Sequence, residues 1–222
     1  MGQPRLFSMD QDLFQFINSQ VANPFLDVPM AALSSWAVWW PLAVVAGLVC
    51  LIKGGFRARA MVLVAVLSVA LCDAFVCRNL KKLSERPRPH ETMSGVRTID
   101  LQKATPRVLA VFLPIKEKVS KVDRPAESGR SFPSSHAANC FAIATVVFLF
   151  HRRWGWLAFV PAGLVALSRM YVGVHWPTDV LAGSMLGILC AVVVAMLLRF
   201  LWVRHIPRLN PGLHQAHPDL LA

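Results

Sequence analysis

The side chains best suited to chemistry lie in three short polar stretches, each next to an apolar run. The last of them, SRMYVGVHWPTD, contains Arg169, His175 and Asp179. A charge at the edge of a bilayer is costly unless it has a partner or a function. Asp179 follows His175 by four residues, and Pro177 is well placed as an early helical residue, so the carboxylate can reach the imidazole and fix its tautomer. The second ring nitrogen then becomes basic enough to attack phosphorus.

The other two stretches supply cations and the start of a helix. KKLSERPRP places Lys81 and Arg88 seven residues apart, and its prolines end the helix, so Arg88 lies on a stiff extended segment. GRSFPSSHAAN places Ser134 and Ser135 at a predicted helix start, with His136 in the first turn. Free backbone N–H groups and the positive end of the helix dipole make such a start an anion site.

Together these groups favour a phosphoryl ligand. Cations and N–H donors can hold the equatorial oxygens over which charge is spread during in-line phosphoryl transfer. The same cations would repel a divalent ion next to the histidines unless an anionic ligand came with it. We therefore expect neither a metal nor a cofactor.

The composition indicates a membrane protein. Of the 222 residues 55% are hydrophobic and 16% are charged, whereas an ordinary soluble domain has roughly a quarter charged residues. The net charge of +11 favours anionic lipids or phosphorylated ligands. We expect no nucleic-acid binding, because no soluble domain with a suitable motif is visible. The five cysteines lack the spacing of a zinc site or a disulfide framework.

The hydropathy pattern predicts an all-α, polytopic membrane bundle, with residues 1–222 as one domain. An amphipathic segment at 9–20 is too short to span and is predicted to lie in the interface. Five spans are predicted, at 30–52, 60–80, 134–150, 154–170 and 180–202. The polar segment 81–133 must lie outside the hydrocarbon. Within it, residues 108–115 are apolar but too short to span, so they either rest on the membrane surface or cover a site.

Counting crossings places all three polar stretches on one membrane face. The short links and the tail on the other face are basic, which by the positive-inside bias puts them in the cytoplasm. The basic residues of KKLSERPRP favour the opposite orientation unless they are kept for chemistry. If they are, the polar face is extracytoplasmic. The expected location is a bacterial inner membrane.

The three stretches resemble the signature of the type 2 phosphatidic acid phosphatase superfamily, which also includes vanadium-dependent haloperoxidases and bacterial acid phosphatases. K-x6-R-P matches residues 81–89, P-S-G-H matches PSSH at 133–136, and S-R-x5-H-x3-D matches 168–179. One departure is Ser135 in place of the usual glycine, although a small serine still offers its backbone N–H. Membrane members of the family usually have six helices and an extracytoplasmic site, so the interfacial segment could be the sixth.

The resemblance implies a role for each site residue. His175 would be the nucleophile that forms a phosphohistidine, and Asp179 would orient it. His136 would protonate the leaving oxygen and then activate the water that hydrolyses the intermediate. The groups implied to hold the phosphate oxygens are Lys81, Arg88, Arg169, Ser134 and the backbone N–H of Ser135.

The spans indicate a lipid substrate, because a water-soluble ester would not need them. The prediction is a metal-independent lipid phosphate phosphohydrolase acting on undecaprenyl diphosphate, phosphatidylglycerol phosphate, phosphatidate or lipid A phosphates, among which the sequence does not choose.

One alternative is a phosphotransferase that uses the same site. Another is a transporter, which would carry charges through the depth of several spans, whereas Asp73 is the main mid-span charge here. Asp73 either supports Lys81 or pairs with Arg78.

Overall fold

Helices form most of the structure, a computed structural model that describes residues 5–221. The first helices in chain order are α1 (Arg5–Gln15), α2 (Pro24–Ser34), α3 (Trp36–Lys53), α4 (Phe56–Val69) and α5 (Arg78–Ser84). They are followed by α6 (Pro89–Thr92), α7 (Ser135–Phe150), α8 (Phe159–Tyr171), α9 (Pro177–Leu209) and α10 (Pro211–Ala216). The predicted all-α bundle is confirmed in part: the fold is mostly helical but also contains one two-stranded sheet.

Three helical runs are long and apolar enough to cross a membrane: Trp36–Lys53, Phe56–Thr92 and Pro177–Leu209. Helix α7 is also apolar but has only 16 residues. Large apolar side chains point outwards from these helices; Val45 and Ile52 on α3, for example, are 58% and 69% exposed. An apolar surface of this extent is expected of helices that face lipid. The fold is that of an integral membrane protein, and the count of five spans stays a prediction.

The helix bounds differ from the predicted ones where the sequence breaks a helix. The predicted span 30–52 is divided at Ser35, whose extended backbone separates α2 from α3. Asn23 begins α2 because its side chain accepts a hydrogen bond from the backbone N–H of Phe25 at 2.9 Å. The predicted span 180–202 is part of a longer helix, α9, which continues past Pro207.

Helices α7 and α9 pack closely because small residues line their contact. A Cβ atom added at Gly187 would lie 2.1 Å from the carbonyl oxygen of Ala138, and one at Gly183 would lie 2.4 Å from that of Ser134. Such distances are far below van der Waals contact, so only glycine fits. The close approach places the start of α7 directly beside the first turns of α9.

The helix formed by α4 and α5 contains a π-helical segment, Ala70–Cys77, in its middle. Single π-helical turns inside helices are frequent at functional sites. Beyond it, α5 carries Lys81 and ends where Glu85 adopts a left-handed conformation with φ of 44°. The prolines that follow keep the next residues extended, so Arg88 lies off the helix as the sequence predicts.

The segment 81–133 contains a β-hairpin that the sequence reading missed. Strand β1 (Arg97–Leu101) pairs antiparallel with β2 (Ile115–Val119). The apolar segment between 108 and 115 forms a short 3-10 helix, Arg107–Phe112, in the connection. Ile99 and Leu101 are buried against α2 and α8. The strands were missed because five-residue strands with polar alternate positions look like a polar loop in hydropathy.

Candidate active site

His175 and Asp179 face each other at the start of α9. His175 lies in the loop that joins α8 to α9 and is 2% exposed, whereas Asp179 lies in the first turn of α9 and is fully buried. The imidazole Nδ1 lies 3.6 Å from Oδ2 of Asp179, slightly beyond hydrogen-bond distance. The backbone N–H of Trp176 donates to the same oxygen at 2.9 Å. This arrangement turns Nδ1 towards the carboxylate and leaves Nε2 for another partner.

Ser131 is a site residue that the sequence reading did not identify. Its Oγ donates a hydrogen bond to Oδ2 of Asp179 and lies 3.5 Å from Nδ1 of His175. Ser131 itself is fully buried. It therefore holds the carboxylate beside the imidazole, and its only sequence signal was its place two residues before Pro133 in GRSFPSSH.

Arg86 is a second residue that the sequence reading missed. Its Nη1 donates to Oδ1 of Asp179 at 2.7 Å, and its Nη2 donates to Oδ2 of Asp10 on α1 at 2.5 Å. The guanidinium also lies over the ring of Trp176, 5.3 Å from its centroid. A buried carboxylate needs such partners, because an unpaired charge in the interior is strongly destabilising. Arg86 therefore helps Asp179 to remain ionised in its buried position.

His175 is neutral at physiological pH. Burial, together with the nearby charges of Arg169 and Lys81, lowers the pKa of its imidazole to about 4, against the opposing effect of Asp179. Desolvation disfavours the charged form of a buried histidine. The lone pair of the outward nitrogen is therefore available at pH 7.

The start of α7 forms the opposite wall of the site. The backbone N–H of Ser134 donates to the carbonyl of Asp179 at 3.0 Å, which fixes α7 against α9. The first backbone N–H groups of α7, beginning at Ser135, have no partners within the helix. Within residues 5–221 the Oγ of Ser134 is a buried polar atom with no hydrogen-bond partner. His136 follows in the same turn, so a donor-rich helix start lies beside a histidine, as predicted.

The predicted cations converge on the two histidines. His136 interacts electrostatically with His175 and with all three cations, Lys81, Arg88 and Arg169. Arg169 is held by Ser34, whose carbonyl oxygen accepts from its Nη1 at 2.9 Å. Each cation in turn interacts with the other two. The structure thus brings together the side chains that the three sequence stretches supply.

Two cavities adjoin this cluster. The lateral cavity, of about 470 Å³, is lined by Asp73, Ala74, Arg78, Lys81, Lys82, Arg130 and Ser135. The hairpin cavity, of about 510 Å³, shares Arg88 and Arg169 with the site and lies under the β-hairpin. Both are basic, which suits an anionic substrate. Asp73 lines the lateral cavity and interacts electrostatically with Lys81; in the described part of the chain it forms no ion pair within 4.0 Å with Arg78.

The fold is similar to those of two solved structures. The crystal structure of Aquifex aeolicus LpxE superposes with a TM-score of 0.58 at 27% identity, covering 84% of this chain and 94% of that one. The first transmembrane PAP2 type phosphatidylglycerolphosphate phosphatase from Bacillus subtilis also gives 0.58, at 22% identity, covering 88% of this chain and 87% of that one. The second likeness concerns the fold alone.

Curated relatives include proteins named as lipid phosphatases. The lipid A 4'-phosphatase of Bacteroides thetaiotaomicron is 27% identical over 82% of this chain and 73% of its own length. The bacitracin transport permease protein BcrC of Bacillus licheniformis is 48% identical over 31% of this chain. The undecaprenyl-diphosphatase of Sulfolobus acidocaldarius is 45% identical over 28% of it. The chain spans about a third of the length of the latter two, 34% and 31%.

A family model described as PAP2 superfamily matches residues 59–202, a range that contains every site residue predicted from the sequence. This match confirms the resemblance that the three motifs carry, and the chain belongs to the PAP2 superfamily.

Proposed function

We propose that the protein is a metal-independent lipid phosphate phosphohydrolase that works through a phosphohistidine. The observation that carries the proposal is the pairing of a buried, neutral His175 with Asp179. A neutral imidazole whose inner nitrogen is oriented by a carboxylate is a competent nucleophile. The cations and helix start around it hold an anionic phosphoryl group.

In the first step Nε2 of His175 attacks the phosphorus of the bound phosphate. The bond between phosphorus and the leaving oxygen breaks, and His136, which takes up a proton when the anionic phosphate binds beside it, donates that proton to the oxygen. The imidazole gains positive character as the new bond forms, and the carboxylate of Asp179 beside Nδ1 offsets that charge. Lys81, Arg88 and the N–H groups of α7 stabilise the charge on the equatorial oxygens.

In the second step a water molecule replaces the leaving group. His136, now neutral, accepts a proton from the water as the oxygen attacks phosphorus, and the bond between phosphorus and Nε2 of His175 breaks. Inorganic phosphate leaves, and both histidines return to their starting states. The same histidine thus acts first as an acid and then as a base.

The substrate is proposed to be a lipid whose hydrocarbon chain stays in the bilayer. Large apolar side chains cover the outside of the helices that hold the site. The relatives named above include a lipid A 4'-phosphatase and an undecaprenyl-diphosphatase. Both names describe removal of phosphate from a membrane lipid, so these lipids, with phosphatidylglycerol phosphate and phosphatidate, are the substrates to try first.

The site is proposed to face the outside of a bacterial inner membrane. The basic links opposite the site, such as Arg57 and Arg152, support this orientation through the positive-inside bias. Labelling of single cysteines introduced between residues 91 and 129 with an impermeant reagent tests it in intact cells. Labelling that occurs only after the cells are opened would show that the site faces the cytoplasm.

A transport function is the second candidate, because one relative is named a bacitracin transport permease protein. The placement of charge favours hydrolysis: the cations and histidines gather at one end of the bundle. Flux measurements in liposomes separate the two functions. Transport that persists in a His175→Ala variant would favour the permease.

A phosphate-release screen tests the proposed function. Purified protein in detergent with EDTA should release phosphate from at least one of the four candidate lipids, and added divalent metal should not be required. Product analysis with a trial alcohol acceptor separates hydrolysis from phosphotransfer. Absence of phosphate release from all four lipids would contradict the proposal.

A further inference from the structure

We propose that the hairpin cavity binds a second phosphoryl group of the substrate, beside the one that is cleaved. This inference rests on the proposed function and narrows its substrate class to lipids that carry two phosphoryl groups. The cavity has a volume of about 510 Å³ and shares Arg88 and Arg169 with the cluster around the histidines. An anion bound there would therefore adjoin the reacting phosphate.

The charge of the cavity favours an anion. Its wall carries four cations: Arg88, Lys116, Lys118 and Arg169. The acidic residue in the wall is Asp100, whose Oδ1 accepts from the backbone N–H of Leu101 at 2.8 Å and lies 3.5 Å from Arg107. The charge of Asp100 is thus partly compensated from outside the cavity. The excess of positive charge attracts a group with more than one negative charge.

The strand alternation explains why both lysines face this cavity. Lys116 and Lys118 are two positions apart on β2, so their side chains lie on one face of the hairpin. Glu117 between them points to the other face, where it pairs with Arg97 at 2.6 Å. The cross-strand partner of Lys118 is Thr98, which also lines the cavity. Asp100, the cross-strand partner of Lys116, lies on the same face, so the hairpin presents two lysines and one aspartate to the cavity and turns Glu117 away from it.

The hairpin backbone is fixed in place, so its two exposed lysines extend from a defined position beside the cavity. Arg97 on β1 makes two hydrogen bonds to the carboxylate of Asp27 on α2, at 2.8 and 2.5 Å. The hydrogen-bonded Arg97 lowers the pKa of Asp27, against the effect of its burial. Asn18 binds both the N–H and the carbonyl of Arg97, at 3.0 and 2.8 Å. The strand is thereby anchored to α2 and to the π-helical turn Phe16–Gln20 that follows α1.

The loop that carries His175 packs directly against this wall. Gly173 has a positive φ of 79°, and a Cβ atom there would lie 2.4 Å from the carbonyl oxygen of Arg97. His90, which lines the cavity, places Nδ1 3.0 Å from the carbonyl oxygen of Gly173. The cavity is therefore next to the nucleophile. Arg169 adds a buried Nε with no hydrogen-bond partner in the described chain, which is a donor still available to a ligand.

The experiment compares substrates with one and two phosphoryl groups in a Lys116→Gln, Lys118→Gln double variant. The ratio of kcat/KM for a prenyl diphosphate to kcat/KM for phosphatidate should fall about tenfold, because two charge-assisted contacts to the second group are lost. Phosphatidylglycerol phosphate is the third substrate. If kcat/KM falls only for the prenyl diphosphate, the cavity binds a phosphoryl group joined directly to the reacting one. If kcat/KM falls only for phosphatidylglycerol phosphate, the cavity binds the second phosphoryl group further along the headgroup. The control is Lys121→Gln, an exposed lysine outside the cavity.

The binding of small anions tests the inference without any measurement of catalysis. The unmodified protein should bind methylenediphosphonate at least about tenfold more tightly than inorganic phosphate, and the double variant should lose most of this preference. Replacement of both lysines by arginine should retain it. Equal binding of the two anions, or an unchanged preference in the double variant, would overturn the inference. A lysine-dependent preference without phosphate release from any lipid would support the cavity assignment and contradict the proposed function.

Discussion

The guanidinium of Arg86 lies 2.7 Å from the carboxylate of Asp179, and both residues belong to the wall behind His175. Arg86 comes from the segment after α5, and Asp179 comes from the first turn of α9, 93 residues later. A second bond at 2.5 Å joins Arg86 to Asp10 on α1. Three separate parts of the chain therefore meet at one buried ion-pair network, which positions the imidazole for its proposed role.

Replacement of Arg86 by glutamine should lower kcat by roughly tenfold or more while changing KM less. The buried carboxylate of Asp179 would lose its charged partner, and an unpaired buried charge costs about 3–5 kcal/mol. Steady-state kinetics on the lipid substrate measures the effect. Arg86→Lys should recover part of the activity, and Arg124→Gln, an exposed arginine in the same polar segment, is the matched control. An unchanged kcat in Arg86→Gln would remove Arg86 from the positioning network.

Replacement of Asp10 by asparagine should lower the thermal stability in detergent and reduce kcat by a smaller factor. Asp10 accepts from the backbone N–H of Thr178 at 2.9 Å, which caps the start of α9, and it also holds Arg86. Loss of a helix cap costs about 1 kcal/mol. Asp12→Asn on the exposed side of α1 is the control. If both variants melt at the temperature of the unmodified protein, α1 does not support the site.

The acid limb of kcat/KM should lie well below pH 6.5. Burial lowers the pKa of His175 to about 4, so the imidazole is neutral above that pH and becomes protonated below it. Only the neutral form can attack phosphorus, and kcat/KM reports the free enzyme. The profile is measured from pH 3.5 to 8 and corrected for ionisation of the substrate, which is followed by phosphorus NMR. A limb near 6.5 that survives this correction would show that His175 titrates like an exposed histidine.

Replacement of Gly187 by alanine should destabilise the bundle. The added methyl would lie 2.1 Å from the carbonyl oxygen of Ala138, so α7 and α9 would have to move apart. Overpacking of this kind typically costs about 1–3 kcal/mol. Gly47→Ala on α3 is the matched control, because no atom lies within 4 Å of the added methyl. Melting in detergent compares the two, and equal melting temperatures would contradict the close packing of α7 on α9.

The sequence predicts the members of the site better than it predicts the groups that hold them. His175, Asp179 and their cationic neighbours lie in compact motifs whose spacing is visible in one dimension. Ser131, Arg86 and Asp10 were missed because each binds a partner 48 to 93 residues away. Arg86 had a weak signal, since it stands two residues before the motif arginine in ERPRP. A single aspartate on an amphipathic helix, such as Asp10, carries no such signal.

The sequence predicts the apolar helices well and the polar segment poorly. Long apolar runs are predicted well because a helix satisfies every backbone hydrogen bond within itself, as the bilayer requires. The local sequence of the segment 81–133 does not determine its conformation. Its hairpin depends on tertiary contacts such as those of Arg97 with Asp27 and Asn18. The break at Ser35 was also missed, because the hydropathy is similar on both sides of it. The substrate preference proposed for the hairpin cavity follows from this unpredicted part of the fold.

The most direct test of the account is phosphate release by a His175→Ala variant. The variant is purified in detergent beside the unmodified protein, and unchanged melting and gel filtration show that the fold is intact. With EDTA present, the unmodified protein should release phosphate from its lipid substrate, and the variant should lose nearly all of this activity because the phosphohistidine cannot form. A folded His175→Ala variant that retains full activity would contradict the proposed mechanism.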